Sequence, residues 1–507
     1  MAKNIGESAP AVVVKNKGLL TVAVMLATIM QVLDTTIANV ALPHMSASLG
    51  AAQHEITWVL TSYIVASAIA TPITGWMSDR IGQKTLFLGA IAGFTLASAL
   101  CGMATSIGEM VAFRILQGLC GAMIAPLAQT IILNINPKER VAQAMAIYGV
   151  GVMVAPIVGP TLGGWLTESV NWRWVFLVNI PVGILCLTLL TIYMPNSEVR
   201  NRRFDFFGFA MLALGIGALQ LMLDRGSDNN WFQSTETWIE LALVIAGLWV
   251  YLIHSLTAQT PFVDLRIFKD RNFALASIFM FLIGMTMFSG LALLPPLLQN
   301  YLGYSVIATG ELMAPRGVTS MISMMIIGKF GDRIDNRIMM VFGAVIMTLA
   351  LYMMTGFNLQ MDSRLIIVTG ALQGFGMGFI FVPLSALAFS TLSTRLRGDA
   401  TSMYALVRNM GQGIGVSMVS AVLANMTQVN HAELAERLTS ASKAVQRTLP
   451  GLIDGSASAV YSANSLVTQQ AAILSFIDDF WLMAVLSLVS IPLLLLLRKP
   501  KANEMSE

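Results

Sequence analysis

The chain has 507 residues, 56% of them hydrophobic and only 11% charged, with a formal net charge of +3 and a mean hydropathy of +0.72. A soluble globular chain carries about 25% charged residues, so this composition excludes a water-soluble fold for most of the sequence, and 30 basic against 27 acidic residues without a basic block give nucleic acid nothing to bind. Cys101, Cys120 and Cys186 sit in apolar stretches and the four histidines are scattered singly, so neither a metal centre nor a cofactor is expected.

A helix needs about 20 mostly apolar residues to cross ~30 Å of hydrocarbon. Fourteen such windows lie at 18–42, 55–77, 85–105, 108–133, 141–166, 174–194, 206–223, 238–257, 273–298, 306–330, 338–357, 364–388, 399–424 and 473–497, which predicts an all-α polytopic membrane protein. The first continues past Asp34 to Leu42 without a small-residue cleavage site, and reads as an uncleaved span. Cytoplasmic loops hold the excess of Lys and Arg. With the N-terminus inside, 21 of the 30 basic residues fall in inside segments and six outside, while Arg114, Arg316 and Arg408 lie within windows. That bias fits an even number of spans with both termini cytoplasmic.

In the first window Asp34 lies near mid-span, with Gln31 and Thr35 as polar neighbours within one turn. Burial disfavours a charged carboxyl, so this group can alternate between protonated and ionised states as access changes sides. Permanent pairing with Arg114 or with buried amides is the structural alternative. After the second window comes 75-GWMSDRIGQK-84. There Gly75 lets a helix end approach its neighbour, and Asp79, Arg80 and Lys84 can cap a helix or pair across bundles.

Arg114, in the fourth window, would cost about 2.5–3.5 kcal/mol at mid-membrane. Either it snorkels to the outer interface or it pairs with an acid or carbonyl. Gln117, on the same window, is a cavity candidate. In the fifth window Gly151, Ala155, Gly159 and Gly163 recur every fourth residue and form a small-residue packing ridge, bent by Pro156 and Pro160.

The pattern of 75–84 returns as 328-GKFGDRIDNR-337, at an offset of 253, pairing Gly75 with Gly328, Asp79 with Asp332 and Arg80 with Arg333. A mere topological turn needs no such copy, which favours a cytoplasmic gate. Glu311 and Arg316 in the tenth window, and Arg408 in the thirteenth with Gln412 one turn away, are candidates to line a cavity or stabilise a gating state. The longest outside stretch, 425–472, carries Leu434, Leu438, Val445 and Leu449 at a spacing that suggests short amphipathic helices.

A weaker echo of 116-LQG-118 at 372-LQG-374 supports the same duplication. Together the matches place one six-helix bundle at 18–194 and a second at 273–497, the latter including the outer loop 425–472. Between them, 195–272 is a linker with two additional helices, and 1–17 and 498–507 are cytoplasmic tails. Two related bundles with a site between them is the plan of an alternating-access transporter.

The stretches 33-LDTTIANVALP-43, 75-GWMSDRIGQK-84, 114-RILQGLCGA-122, 151-GVMVAPIVGPTLGGW-165, 172-WRWVFLVNIPVG-183, 314-APRGVTSM-321 and 404-YALVRNMGQGIG-415, in that order and spacing, resemble the major facilitator superfamily over nearly the whole chain. The resemblance is to its fourteen-helix drug:proton antiporters of the EmrB/QacA type, closest to the EmrB branch. It implies the major facilitator fold and export of small hydrophobic or cationic drugs from the bacterial inner membrane, driven by protons with no cofactor beyond the proton gradient. It also implies a proton-coupling role for Arg114 beside Asp34, and assigns Gly151, Gly159, Pro160, Gly163 and Gly164 to the antiporter motif. EmrB-type pumps work with a periplasmic adaptor and an outer-membrane channel, and the segment 425–472 is a candidate contact or a simple lid. An exporter of an endogenous lipid, siderophore or metabolite is the nearest rival. A proton-coupled importer is a second. A membrane enzyme would need a nucleophile, metal or acid/base cluster, and the sequence offers no such constellation.

Overall fold

The computed structural model describes residues 16–137, 140–197, 199–227, 229–331, 334–392, 396–437 and 456–497, and these contain helices and no strand. In chain order, α1 is Lys17–Leu49. α2 is a broken rod, Trp58–Ala70 and Ile73–Ile81, bent by 59° where Pro72 removes a backbone donor. α3 is Gln83–Met103, α4 Ile107–Ile135, α5 Val141–Ser169 and α6 Trp174–Tyr193. α7 is Phe206–Arg225 and α8 Thr235–Thr257. α9 is Arg271–Tyr301, α10 Val306–Phe330, α11 Asn336–Met354, α12 Ser363–Ser390, α13 Arg397–Arg437 and α14 Ala457–Leu495.

The starts are set by short polar side chains. Asn16, Asp205, Asp270, Ser305, Asp335 and Asp362 each accept a hydrogen bond from a backbone N–H in the first turn of α1, α7, α9, α10, α11 and α12, satisfying donors that have no partner within the helix. Among the described residues, eleven helices are long and apolar enough to cross a membrane, or twelve when the bent α2 counts as one span. α10 and α13 occupy the other two expected positions as helices with more polar sequences.

One expectation is corrected between α13 and α14. The stretch 425–472 is not a free loop over its described length, because α13 runs on to Arg437 and α14 begins at Ala457. The two extensions are tied together where Asn430 Nδ2 donates to Ser475 Oγ at 3.0 Å and His431 meets Asn464 at 3.0 Å. Leu438, Val445 and Leu449 lie outside the described residues.

α5 is sandwiched between α1 and α10. Its small-residue ridge faces α1: a Cβ on Gly163 would sit 3.3 Å from the Ile37 Cα, and Gly159 abuts Thr36. Its other side meets α10, where Gly317 receives Ile157 and Gly164 lies by Val306. α7 packs on both α2 and α13, and α8 packs on α7 with Trp238, Ile239 and Trp249 exposed along it, as a lipid-facing helix requires.

Candidate transport site

Asp34 and Arg114 meet in the interior of the first bundle. Arg114 Nη1 donates to Asp34 Oδ2 at 2.6 Å, and both side chains are wholly buried. Arg114 and Gln117 stand one turn apart on α4 and so share a face, from which Gln117 Nε2 donates to Asp34 Oδ1 at 2.8 Å and its Oε1 accepts from Arg114 Nη1 at 2.6 Å. Asn179, in the first turn of the straight part of α6, donates to the same Asp34 oxygen at 2.8 Å. Ser98 Oγ on α3 accepts from both amides, at 2.6 Å and 3.2 Å. Arg114 Nε reaches the Val59 carbonyl at 2.9 Å, and the guanidinium lies 4.2 Å from the Tyr63 ring centroid. Arg114 is thus paired inside the bundle and does not snorkel.

Three donors surround the one carboxylate, and in each of these bonds Asp34 is the acceptor. Such a pair holds together because attraction and hydrogen bonds offset the cost of desolvating two charges. Removing either partner strands the other.

Beside this network lies a cavity of about 450 Å³, walled by α1, α2, α4 and α5 on one side, α9 and α13 on the other, and α7. This is within the ~300–1,000 Å³ range of small-molecule pockets. Gln31, Thr35, Arg408 and Gln412 line it. Tyr63 forms the partition: it lines the cavity, accepts from Gln31 Nε2 at 3.4 Å, and carries Arg114 on its ring. A molecule pressing on Tyr63 and Gln31 therefore presses on the Asp34–Arg114 pair. Among the lining residues, Arg408 and Asp224 are the charged ones, with Asp224 supplied by α7 and hydrogen-bonded to Thr61.

Three cavity candidates lie elsewhere. Gln117 is consumed by the Asp34 network, because burial leaves its amide no other role. Arg316 is buried against α9, donating from Nη2 to the Met287 carbonyl at 3.0 Å. Glu311 is exposed near the start of α10, outside the cavity wall.

The ends of the bundles that carry the 75–84 motif are closed over one another. Arg202, in the segment joining α6 to α7, bonds both Asp399 oxygens at 2.9 and 3.0 Å and approaches Asp79 at 3.6 Å. Its Nη2 also donates to the Phe262 carbonyl at 2.6 Å. Thr130 and Thr401 share a hydrogen bond of 2.7 Å, and Arg397 Nη1 donates to Asn134 Oδ1 at 3.1 Å. Of the expected gate residues, Gly75 abuts Asp399, Asp79 joins the Arg202 cluster, Arg80 bonds Asn201, and Lys84 donates to the Thr191 carbonyl at 3.0 Å. Asp332 and Arg333 fall outside the described residues.

Sequence reading missed Asn179 and Ser98 in the network, and Arg202 and Asp399 at the closure. Asn179 is the polar residue within the apolar run 174–183 of 172-WRWVFLVNIPVG-183, and that polarity was the available signal. Arg202 reads as one more topological arginine, so nothing local marks it.

Residues 24–416 match the family model described as the Major Facilitator Superfamily. Similar proteins include "Multidrug export protein EmrB" of Escherichia coli K12, 34% identical across 95% of both chains. "Fatty acid resistance protein FarB" of Neisseria gonorrhoeae is 36% identical across 95% of this chain and 96% of that one. Among solved structures, the human organic anion transporter MFSD10 superposes with a TM-score of 0.61 at 15% identity, covering 96% of this chain and all of that one. The proton:xylose symporter XylE gives 0.59 at 13% identity, covering 94% of each. At that identity the two structures speak to the fold alone.

Proposed function

We propose that this chain, which belongs to the major facilitator superfamily, is a proton-coupled multidrug efflux antiporter of the bacterial inner membrane, with both termini cytoplasmic. It is a multi-span transporter and not an enzyme. The observation that carries the proton-coupled reading is the Asp34–Arg114–Gln117–Asn179 network, separated from the cavity by one side chain, Tyr63. The export direction rests on similarity to proteins named for multidrug export and fatty acid resistance.

In this reading the closed cytoplasmic face corresponds to the state that delivers substrate outward. A proton entering from outside neutralises Asp34 and breaks its pair with Arg114. The freed guanidinium then shifts on Tyr63 and the bundles rock to open inward. Substrate binding from the inside re-forms the pair and expels the proton. Each proton supplies about 2.3 kcal/mol per 100 mV, roughly a fifty-fold concentration ratio. An adaptor and an outer-membrane channel belong to this proposal as partners at the α13–α14 outer extensions.

The test is substrate-dependent proton release from the purified protein. Release on adding a hydrophobic drug supports antiport, and binding without any proton release sinks it. A second reading, export of lipid-like acids, is favoured by the 36% identity to the fatty acid resistance protein and by Arg408 in the cavity wall. Competition in everted vesicles separates the two, since displacement by chemically unrelated dyes supports the multidrug reading.

A further inference from the structure

The second bundle holds a buried cation with no carboxylate beside it among the described residues. Arg316 is 7% exposed and Gln373 on α12 is 2% exposed. Arg316 Nη1 and both amide atoms of Gln373 have no hydrogen-bond partner, and no described carboxylate lies in salt-bridge range of Arg316. A buried guanidinium with no counter-charge and one free Nη, and a buried amide without partners, are each costly.

The duplication makes the anomaly specific. By the LQG match Gln373 corresponds to Gln117, and by the offset of 253 Met287 corresponds to Asp34. In the first bundle the Asp34 carboxylate receives both the arginine and the glutamine amide. In the second, an arginine and the equivalent glutamine converge without the acid. The donors converge on a definite point. The position a Cβ would take on Gly290 is 3.4 Å from Arg316 Nη1, 3.5 Å from Gln373 Nε2 and 3.6 Å from Arg316 Nη2. Those are its three nearest neighbours apart from the nearby α9 backbone and the chain neighbours, so the bare backbone of Gly290 lets the guanidinium and the amide come together against α9.

We infer that Gly290, Arg316 and Gln373 form a binding site for one monovalent anion, either a free halide or the carboxylate of a hydrophobic acid. The anion supplies to α9, α10 and α12 the negative charge that Asp34 supplies to the first bundle, and its single charge matches the one guanidinium.

The test uses the full-length purified protein in detergent, melted in chloride against gluconate at fixed ionic strength, and separately with octanoate. Chloride raises the melting midpoint saturably, by on the order of 2 °C, if the anion is a free halide. A shift with octanoate but not chloride assigns the site to an acid's carboxylate. Gly290→Ala puts a methyl in contact with both donor groups, shielding them from an anion, and Gln373→Glu adds a fixed carboxylate. Either variant loses the shift. No anion-specific shift in the wild type, or one undiminished in both variants, overturns the inference. The readout is binding, so it does not depend on whether the chain exports drugs.

Discussion

A Cβ on Gly75 of α2 would lie 3.0 Å from both the nitrogen and the Cα of Asp399 on α13. The repeat-related Gly328 on α10 meets Ala146 on α5 in the same way, with 2.8 Å between the Cβ position and the Ala146 Cβ. Ala146 and Asp399 are themselves 253 residues apart, so both copies of the motif use glycine to admit a helix of the opposite bundle. Only one copy puts a charge there, and Arg202 binds it.

Gly75→Val places branched carbon where the Asp399 backbone now sits, so the closed cytoplasmic face cannot form. Efflux should fall at least about tenfold, the effect of some 1.4 kcal/mol. A cysteine at Thr130 should become more reactive to a thiol reagent from the cytoplasmic side. Unchanged efflux and labelling together would refute the role of the close approach.

Neutralising the closure ranks its members. Asp399 is 8% exposed in its side chain and Asp79 28%, so solvent screens the Arg202–Asp79 contact far more. Asp399→Asn should impair transport more than Asp79→Asn while leaving drug binding largely intact. The reverse ranking, or lost binding with unaltered cytoplasmic accessibility, would count against a latch centred on Arg202.

Coupling is tested at Asp34. Asp34→Asn keeps the size and polarity of the protonated acid, so neutral substrates should still bind while proton-driven efflux disappears. Arg114→Met strands the carboxylate in the bundle and should destabilise the protein by about 3–5 kcal/mol, and pairing it with Asp34→Asn should recover much of that loss. If Asp34→Asn pumps a neutral substrate against its gradient with undiminished proton flux, the coupling carboxyl lies elsewhere.

Asn179→Leu removes one of three donors to Asp34 and adds an apolar side chain beside it. Transport at saturating drug should then require a different proton concentration from the wild type, measured as a displaced pH–efflux curve. An identical curve would reduce Asn179 to packing.

Topology offers an independent check. Reporter fusions at residue 507 and within the α13–α14 extensions should report opposite sides, with the C-terminus cytoplasmic. A C-terminus outside would break the even-span reading.

The sequence by itself determined the class of molecule and its helices. Hydrocarbon demands about 20 apolar residues per span, and that demand leaves a one-dimensional trace, as does the glycine period of α5. It also exposed the duplication, because a repeat is a property of the string. Asp34 and Arg114 were legible as expensive charges in apolar windows. Their pairing was one of the alternatives the sequence left open, since 80 residues separate them and only the packing of α1 against α4 decides it. Packing likewise decides for Arg202 with Asp399, 197 residues apart, and for Arg316, which lies against α9 instead of in the cavity. Charge in a membrane announces that a partner must exist, and the tertiary structure alone decides which one.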